Sequence, residues 1–357
     1  MKALVIGGTG LIGAYIVRAL LKRGDQVRIL ARHPERLDRS HAAAAEIVLG
    51  DILTSDEALQ NACTGQDVVF HAAARFAYER SRSTEIFDTA VRGTENVLRT
   101  CAQVGAGRVV VTSSSVVFGY SSVPAEIDES KEIVFTSEPP YVAAKIEQHR
   151  RSLSLAAELN LNVVLACPTM TLGPTRGDLG PSNGMILAYL ADPFRCTYRG
   201  GCNLVSGRDI AEGHILLGQH GVSGQAYLLG GENLHWEAIH TAISDLAGVQ
   251  RPLFRLNHTL AYLAATAEEA RASFVGRTPL STREQAAMIG RWYWYSDDRA
   301  QALGYRPGSG EMALIQTISW LAASHHMARE TRTSLRLSAE IYQFRASAAD
   351  SNDQRDE

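Results

Sequence analysis

The sequence predicts an α/β fold: a doubly wound parallel sheet with a smaller, mostly helical C-terminal substrate lobe. Three observations predict it. Through residue 168, continuous Val/Ile/Leu runs alternate with segments of helical period, the pattern of a parallel sheet covered on both faces. The first run leads directly into "GGTGLIG", with Gly7, Gly10 and Gly13 ahead of a helical stretch, as at a dinucleotide-binding turn. Beyond residue 169 the alternation loosens into the Gly/Pro-rich "TLGPTRGDLGPSNG" (171–184), so a second unit begins there.

In order, "KALVIG" (2–7) reads as a buried strand and "LIGAYIVRALLKRG" (11–24) as a helix closed by Gly24. Strands follow at "QVRILAR" (26–32) and "AEIVLGD" (45–51), then a short helix capped at Ser55 and the strand "QDVVFHAAA" (66–74). A long helix is expected over 84–104, the strand "GRVVVTSS" at 107–114, a helix over 141–159 and the strand "NVVLACP" at 162–168. Later elements are a helix at 209–220, a strand at 225–229, a helix at 235–247, a mostly helical block over 258–304 and a helix at 311–324. The expected organisation is a cofactor-binding domain at 1–168 and a substrate lobe at 169–324, interleaved with the first domain's last elements. Residues 325–357 are polar and read as a flexible tail, with one helix at "SLRLSAEIYQF".

Composition excludes several functions. The 357 residues carry a net charge of −3 with both signs scattered, so no nucleic-acid partner is expected. No window has the roughly 18 uncharged apolar residues of a membrane span, and no leader is read before the glycine turn. Cysteines 63, 101, 167, 196 and 202 are odd in number and irregular in spacing, which reads as reduced thiols in a cytoplasmic protein with no metal site.

Four motifs carry chemistry. Gly7 permits the strand-to-helix turn, Gly10 lets the backbone approach a pyrophosphate, and Gly13 lets the helix pack closely. Where an acidic residue would hold the ribose hydroxyls of NAD, the second strand ends in Ala31 and Arg32, with His33 and Arg36 beyond. A guanidinium suits a 2′-phosphate, so NADP(H) is the expected cofactor and NAD the alternative. "YVAAK" places Tyr141 and Lys145 on one helical face, where an ammonium would lower the phenol's pKa for proton transfer at a carbonyl or alcohol. "TSSS" (112–115) ends the fifth strand, where ligands sit in an open parallel sheet and a hydroxyl can hold the substrate oxygen.

Together these motifs resemble the extended short-chain dehydrogenase/reductases, also called the NAD-dependent epimerase/dehydratase family, over roughly residues 1–324. "GGTGLIG", "HAAA" (71–74), "TSSSVVFG" (112–119) and "YVAAK" carry the likeness, and "CPTMTLGP" (167–174) is similar to the family's nicotinamide-side turn. The resemblance implies a Rossmann fold and a catalytic Ser114, Tyr141 and Lys145, with Ser113 and Ser115 as neighbours. It implies cofactor contacts at Gly7, Thr9, Gly10, Leu11, Ile12, Gly13, Arg32, Asp51, Ile52, Ala72, Ala73, Thr112, Tyr141, Lys145 and Pro168. "ARHPER" (31–36) is similar to the dihydroflavonol-reductase-like branch, and "NLVSGRDIAEGHILL" (203–217) to its hopanoid-associated sugar-epimerase-like members. Two departures stand out: Ala90 and Cys167 each occupy a position where the family commonly has Asn. The missing acidic pair beside Ser114 disfavours dehydration.

The expected function is therefore an oxidoreductase that reduces a ketone or aldehyde, or oxidises the alcohol. The alternative is a sugar-nucleotide epimerase, with Arg176, Arg195, Arg199 and Arg208 as candidate phosphate ligands. A non-catalytic cofactor-binding protein is a third reading. The aromatic run "RWYWYSD" (291–297) is a packed core or a pocket wall, and the block 258–290 offers a homodimer surface.

Overall fold

The protein is described from a computed structural model, which covers residues 1–54, 57–73, 83–131, 133–134, 139–275, 283, 286 and 288–353. The expected cap Ser55, Ala74 of "HAAA" and much of 276–287 lie outside the described residues.

The chain opens with β1 (Lys2–Ile6), α1 (Leu11–Lys22), β2 (Gln26–Ala31), α2 (Arg39–Ala44), β3 (Glu46–Leu49), α3 (Glu57–Cys63) and β4 (Val68–His71). It continues through α4 (Ser83–Phe87), α5 (Gly93–Val104), β5 (Arg108–Thr112), α6 (Pro140–Glu158) and β6 (Val163–Pro168). It then leaves the sheet for β7 (Met170–Leu172), α7 (Gly180–Ala191), β8 (Cys196–Tyr198) and β9 (Gly201–Ser206). Finally α8 (Gly207–His220) and β10 (Ala226–Leu229) bring it back. The resulting sheet has seven parallel strands in the order β10-β6-β5-β4-β1-β2-β3. Each strand of its centre is a fully buried apolar run, because helices cover both faces: α3, α5 and α6 on one, α1 and α8 on the other. The strand order reverses between β1 and β4, and a ligand crevice opens at such a switch point beyond the carboxyl ends of the strands.

The smaller lobe packs around its own core. Here β11 (Glu232–His235), β9, β13 (Trp292–Tyr293) and β7 form one sheet, and β12 (Phe254–Leu256) pairs β8 in another. Helix α7, α9 (Trp236–Ala247) and the helix Gly310–Ala323 close over them. The aromatic run is strand and core: Trp292 and Tyr295 are buried, and the Tyr295 hydroxyl donates to the Gly119 carbonyl at 2.7 Å. The lobe is thereby pinned to the loop after Ser114.

Two expectations gain detail. The helix over 84–104 is continuous but contains a π turn at Asp88–Arg92, one of the local widenings that recur at functional sites. The polar tail holds the one helix read in it and a second before it. Helices Arg329–Ser334 and Ala339–Asp353 follow the lobe, with Leu335 and Ile341 buried in its core. The amides of Arg336 and Ser338 donate to the carbonyls of Ala247 and Leu246 at 2.8 and 2.9 Å, which fixes the crossing strand of chain. A few apolar anchors in a polar segment suffice because the lobe already offers the apolar face they bury.

Candidate active site

A cleft of about 530 Å³ lies at the switch point, lined by the ends of β1, β2, β4, β5 and β6, the start of α6 and the loop into α7. Of the site residues expected from the sequence, Gly7, Thr9, Gly10, Leu11, Ile12, Arg32, Asp51, Ile52, Ala72, Ala73, Thr112, Ser114, Tyr141, Lys145 and Pro168 all line it. Gly13 stands behind, where the helix meets the turn: a Cβ there would lie 2.1 Å from the Gly7 carbonyl oxygen.

The glycine turn fits a pyrophosphate. Gly7 has φ +94°, and a Cβ on it would sit 2.6 Å from the Ala73 amide nitrogen, so only glycine is tolerated. Gly10 is the N-cap of α1 and no side chain caps the helix. A Cβ at Gly10 would meet only the Gly7 carbonyl, at 3.5 Å, so the missing side chain leaves room on the cleft side. The uncapped first-turn amides and the helix dipole there favour an anion. The residues present fit a dinucleotide.

Around Arg32 the charges lie at or near the surface and are paired. Arg32 lies 3.6 Å from Asp51, Arg36 3.2 Å from Asp178, and Arg176 2.6 Å from Asp38. Asp51 also accepts the Leu53 amide at 3.0 Å, and the Asn96 side chain donates to the Ile52 carbonyl at 2.8 Å, so the turn after β3 is held from two sides.

The opposite end is buried. Ser114 caps a short 3₁₀ turn, Ser115–Phe118, accepting the Val116 amide. Its hydroxyl also neighbours Tyr141, near the start of α6, where Pro140 supplies the first-turn φ. Burial pushes the Tyr141 phenol up to about 12, and the neighbouring Ser114 hydroxyl offsets only part of this. The lowering expected from Lys145 is thus not what governs Tyr141 in this geometry. The ammonium is turned to the Thr112 carbonyl at 2.9 Å and to Gln148 Oε1 at 2.7 Å, and burial draws Lys145 down to about 8.

Sequence reasoning missed Thr89, Thr169, Asn183 and Asp178, all on the cleft wall, where Ser113, read as a neighbour of Ser114, also lies. Ser113 hydrogen-bonds His149 Nδ1 at 2.9 Å, and the i+8 spacing of His149 from Tyr141 was the available signal, placing it near the same side of α6. The four arginines offered for an epimerase do not converge. None is among the residues that line the cleft; Arg199 stacks over Trp292 in the lobe, and Arg208, on α8, pairs Glu212.

The profile of the NAD dependent epimerase/dehydratase family matches residues 3–230. The chain is 30% identical over 322 residues to a putative dihydroflavonol 4-reductase of Synechocystis sp., covering 88% of this chain and 93% of that one. It is 28% identical to sterol demethylase protein B of Methylococcus capsulatus, covering 90% and 98%. The crystal structure of gox2253 superposes with a TM-score of 0.77 at 30% identity, covering 92% of this chain and 99% of that one. The chain therefore belongs to the NAD dependent epimerase/dehydratase family and is an NAD(P)-dependent oxidoreductase of the extended short-chain type. Among the described residues no helix is long and apolar enough to cross a membrane.

Proposed function

We propose that the protein is an NADP(H)-preferring carbonyl reductase in which Tyr141 is the proton donor, Ser114 holds the substrate oxygen and Lys145 binds the nicotinamide ribose. The nicotinamide, when bound, supplies the hydride. The observation that carries the reading is the placement of Ser114 and Tyr141 together at the buried end of a cleft whose far end holds Arg32. A phenol held near 12 keeps its proton at neutral pH. It is thus set to protonate an oxygen that gains charge as hydride arrives, which suits reduction over oxidation. Ser114 would donate to the same oxygen and hold it in one orientation. Arg32 and Arg36 supply the guanidinium groups that a 2′-phosphate needs and NAD does not.

The names of the relatives, dihydroflavonol reductase and sterol demethylase, make polycyclic ketones the first substrate panel. The test follows absorbance of NADPH and NADH with that panel, beside a UDP-hexose. Net NADPH oxidation, with a lower kcat/KM for NADH, is expected. Conversion of the UDP-hexose without net cofactor turnover, and no reaction with any ketone, overturns the reading in favour of an epimerase.

A further inference from the structure

Behind the candidate catalytic pair runs a chain of buried polar side chains that the proposed function does not use. Lys145, 2% exposed, donates from Nζ to the Thr112 carbonyl and to Gln148 Oε1. Gln148, one turn further along α6 and 1% exposed, donates from Nε2 to Thr94 Oγ1 at 2.8 Å. The Thr94 hydroxyl donates to the Ala90 carbonyl at 2.6 Å, and His71 Nε2 lies 2.9 Å from that same hydroxyl oxygen.

Every direction in this chain follows from chemistry. An ammonium only donates, so the carbonyl of the Gln148 amide must face Lys145 and its NH2 must face Thr94. The one Thr94 proton goes to Ala90, so Thr94 accepts from Gln148 and from His71. His71 therefore carries its proton on Nε2, and its bare Nδ1 is buried with no hydrogen-bond partner among the described residues. No member can reverse without leaving a second buried group unsatisfied, which costs more than the bond is worth. Two of the three Lys145 N–H groups are thus directed into the protein, and the third remains for the cleft that Lys145 lines.

We propose that Gln148 is a positioning residue for Lys145: its amide carbonyl, locked by Thr94 and His71, holds the ammonium charged and presents its remaining N–H to the cleft. The catalytic consequence rests on the reading of Lys145 given above, but the positioning itself does not. The titratable groups around the ammonium are Tyr141 and His149 on α6, His71 on β4 and Cys167 on β6. Burial holds His71 at about 3 and His149 at about 4, and raises Cys167 and Tyr141 to about 12. All four are neutral near pH 7, so Gln148 and the Thr112 carbonyl are what stabilise the charge.

The test is the titration of Lys145 itself. The sequence has only four lysines, so 15N-lysine labelling gives four Nζ signals, with Lys145→Met assigning the relevant one. The wild-type signal is expected to titrate near 8. Gln148→Leu removes an acceptor from the charged form, so the midpoint falls by about one pH unit or more. Gln148→Glu places a carboxylate at the same point and raises it. Thr94→Val frees the amide and lowers the midpoint by less than Gln148→Leu does. A purely structural glutamine would change thermal stability and leave this midpoint in place. An unmoved Lys145 midpoint in the Glu variant overturns the proposal, and that variant decides the matter alone if circular dichroism shows Gln148→Leu unfolded. Loss of ketone reduction in the wild type would overturn the functional reading without touching this titration.

Discussion

The Lys145 ammonium is 2% exposed and held by two hydrogen bonds, whereas the Arg32 guanidinium at the other end of the same cleft is half exposed and 3.6 Å from its carboxylate. The two cations differ in what fixes them. Around Lys145 the dielectric is low, and every polar partner is itself committed, so each group has one position. Around Arg32, Arg36 and Arg176 the pairs face water, where an ion pair contributes at most about 1 kcal/mol. The buried end is built for placement and the exposed end for exchange. A phosphate arriving at the mouth can replace a carboxylate partner at little cost, while nothing at the far end can be replaced without loss.

The largest effect should come from breaking the buried end. Tyr141→Phe keeps the ring volume and removes the hydroxyl proposed as proton donor, so turnover with a ketone should fall by about 10²–10⁴-fold. NADPH binding, followed by fluorescence, should be unchanged because the glycine turn and the arginines are intact. Residual turnover within about tenfold of wild type would reassign the proton donor.

Acid should sharpen the same contrast. His71, His149 and His214 all sit behind the buried end, His214 bonding Thr112 Oγ1 at 2.9 Å. Burial lowers them from 6.5 to about 3, about 4 and about 4. The unfolded chain therefore binds more protons than the folded one below about pH 6.5, and stability rises with pH through that window. Their stabilisation is complete above 6.5 and is lost as pH falls toward 4 and 3, by up to about 1.4 kcal/mol per pH unit for each histidine. Calorimetry should show Tm dropping between pH 7 and 5, with a shallower drop in His149→Gln. A flat profile would mean that these rings are hydrated in solution.

How much of this was legible in sequence follows the same division. The sheet was readable because strands buried on both faces must be continuous apolar runs, as "LVI", "RIL" and "VVLAC" are. Tyr141 and Lys145 were readable because i and i+4 share a helical face. Gln148 was not, since a glutamine on a charged helix reads as solvent-facing until Thr94, 54 residues earlier, is seen to meet it. The Tyr141 pKa was misread for a related reason: adjacency on a helix says nothing of which way an ammonium is drawn. Leu335 and Ile341 were passed over because their apolar partners come from α9 and the helix Gly310–Ala323, far away in sequence. Asp51 and Asp178 were likewise invisible as partners of Arg32 and Arg36.

Those carboxylates set the smallest effect and the most specific one. On the proposed NADP(H) reading, a 2′-phosphate at Arg32 must compete with Asp51, so the pair weakens that contact while keeping the guanidinium in place. Arg32→Ser should reduce the ratio of kcat/KM for NADPH over NADH by about tenfold, the value of roughly one charge-assisted contact. Asp51→Asn should move the ratio the other way by a few-fold, because it frees Arg32 and removes a charge that repels phosphate. Both effects should shrink between 0.05 and 0.5 M salt (about 14 to about 4 Å of Debye length), since this end is open to ions. The effect of Gln148→Glu on the Lys145 midpoint should persist over that range, because the group is buried. Equal salt sensitivity at the two ends would show that water reaches both, and the contrast between a fixed end and an exchangeable one would fail.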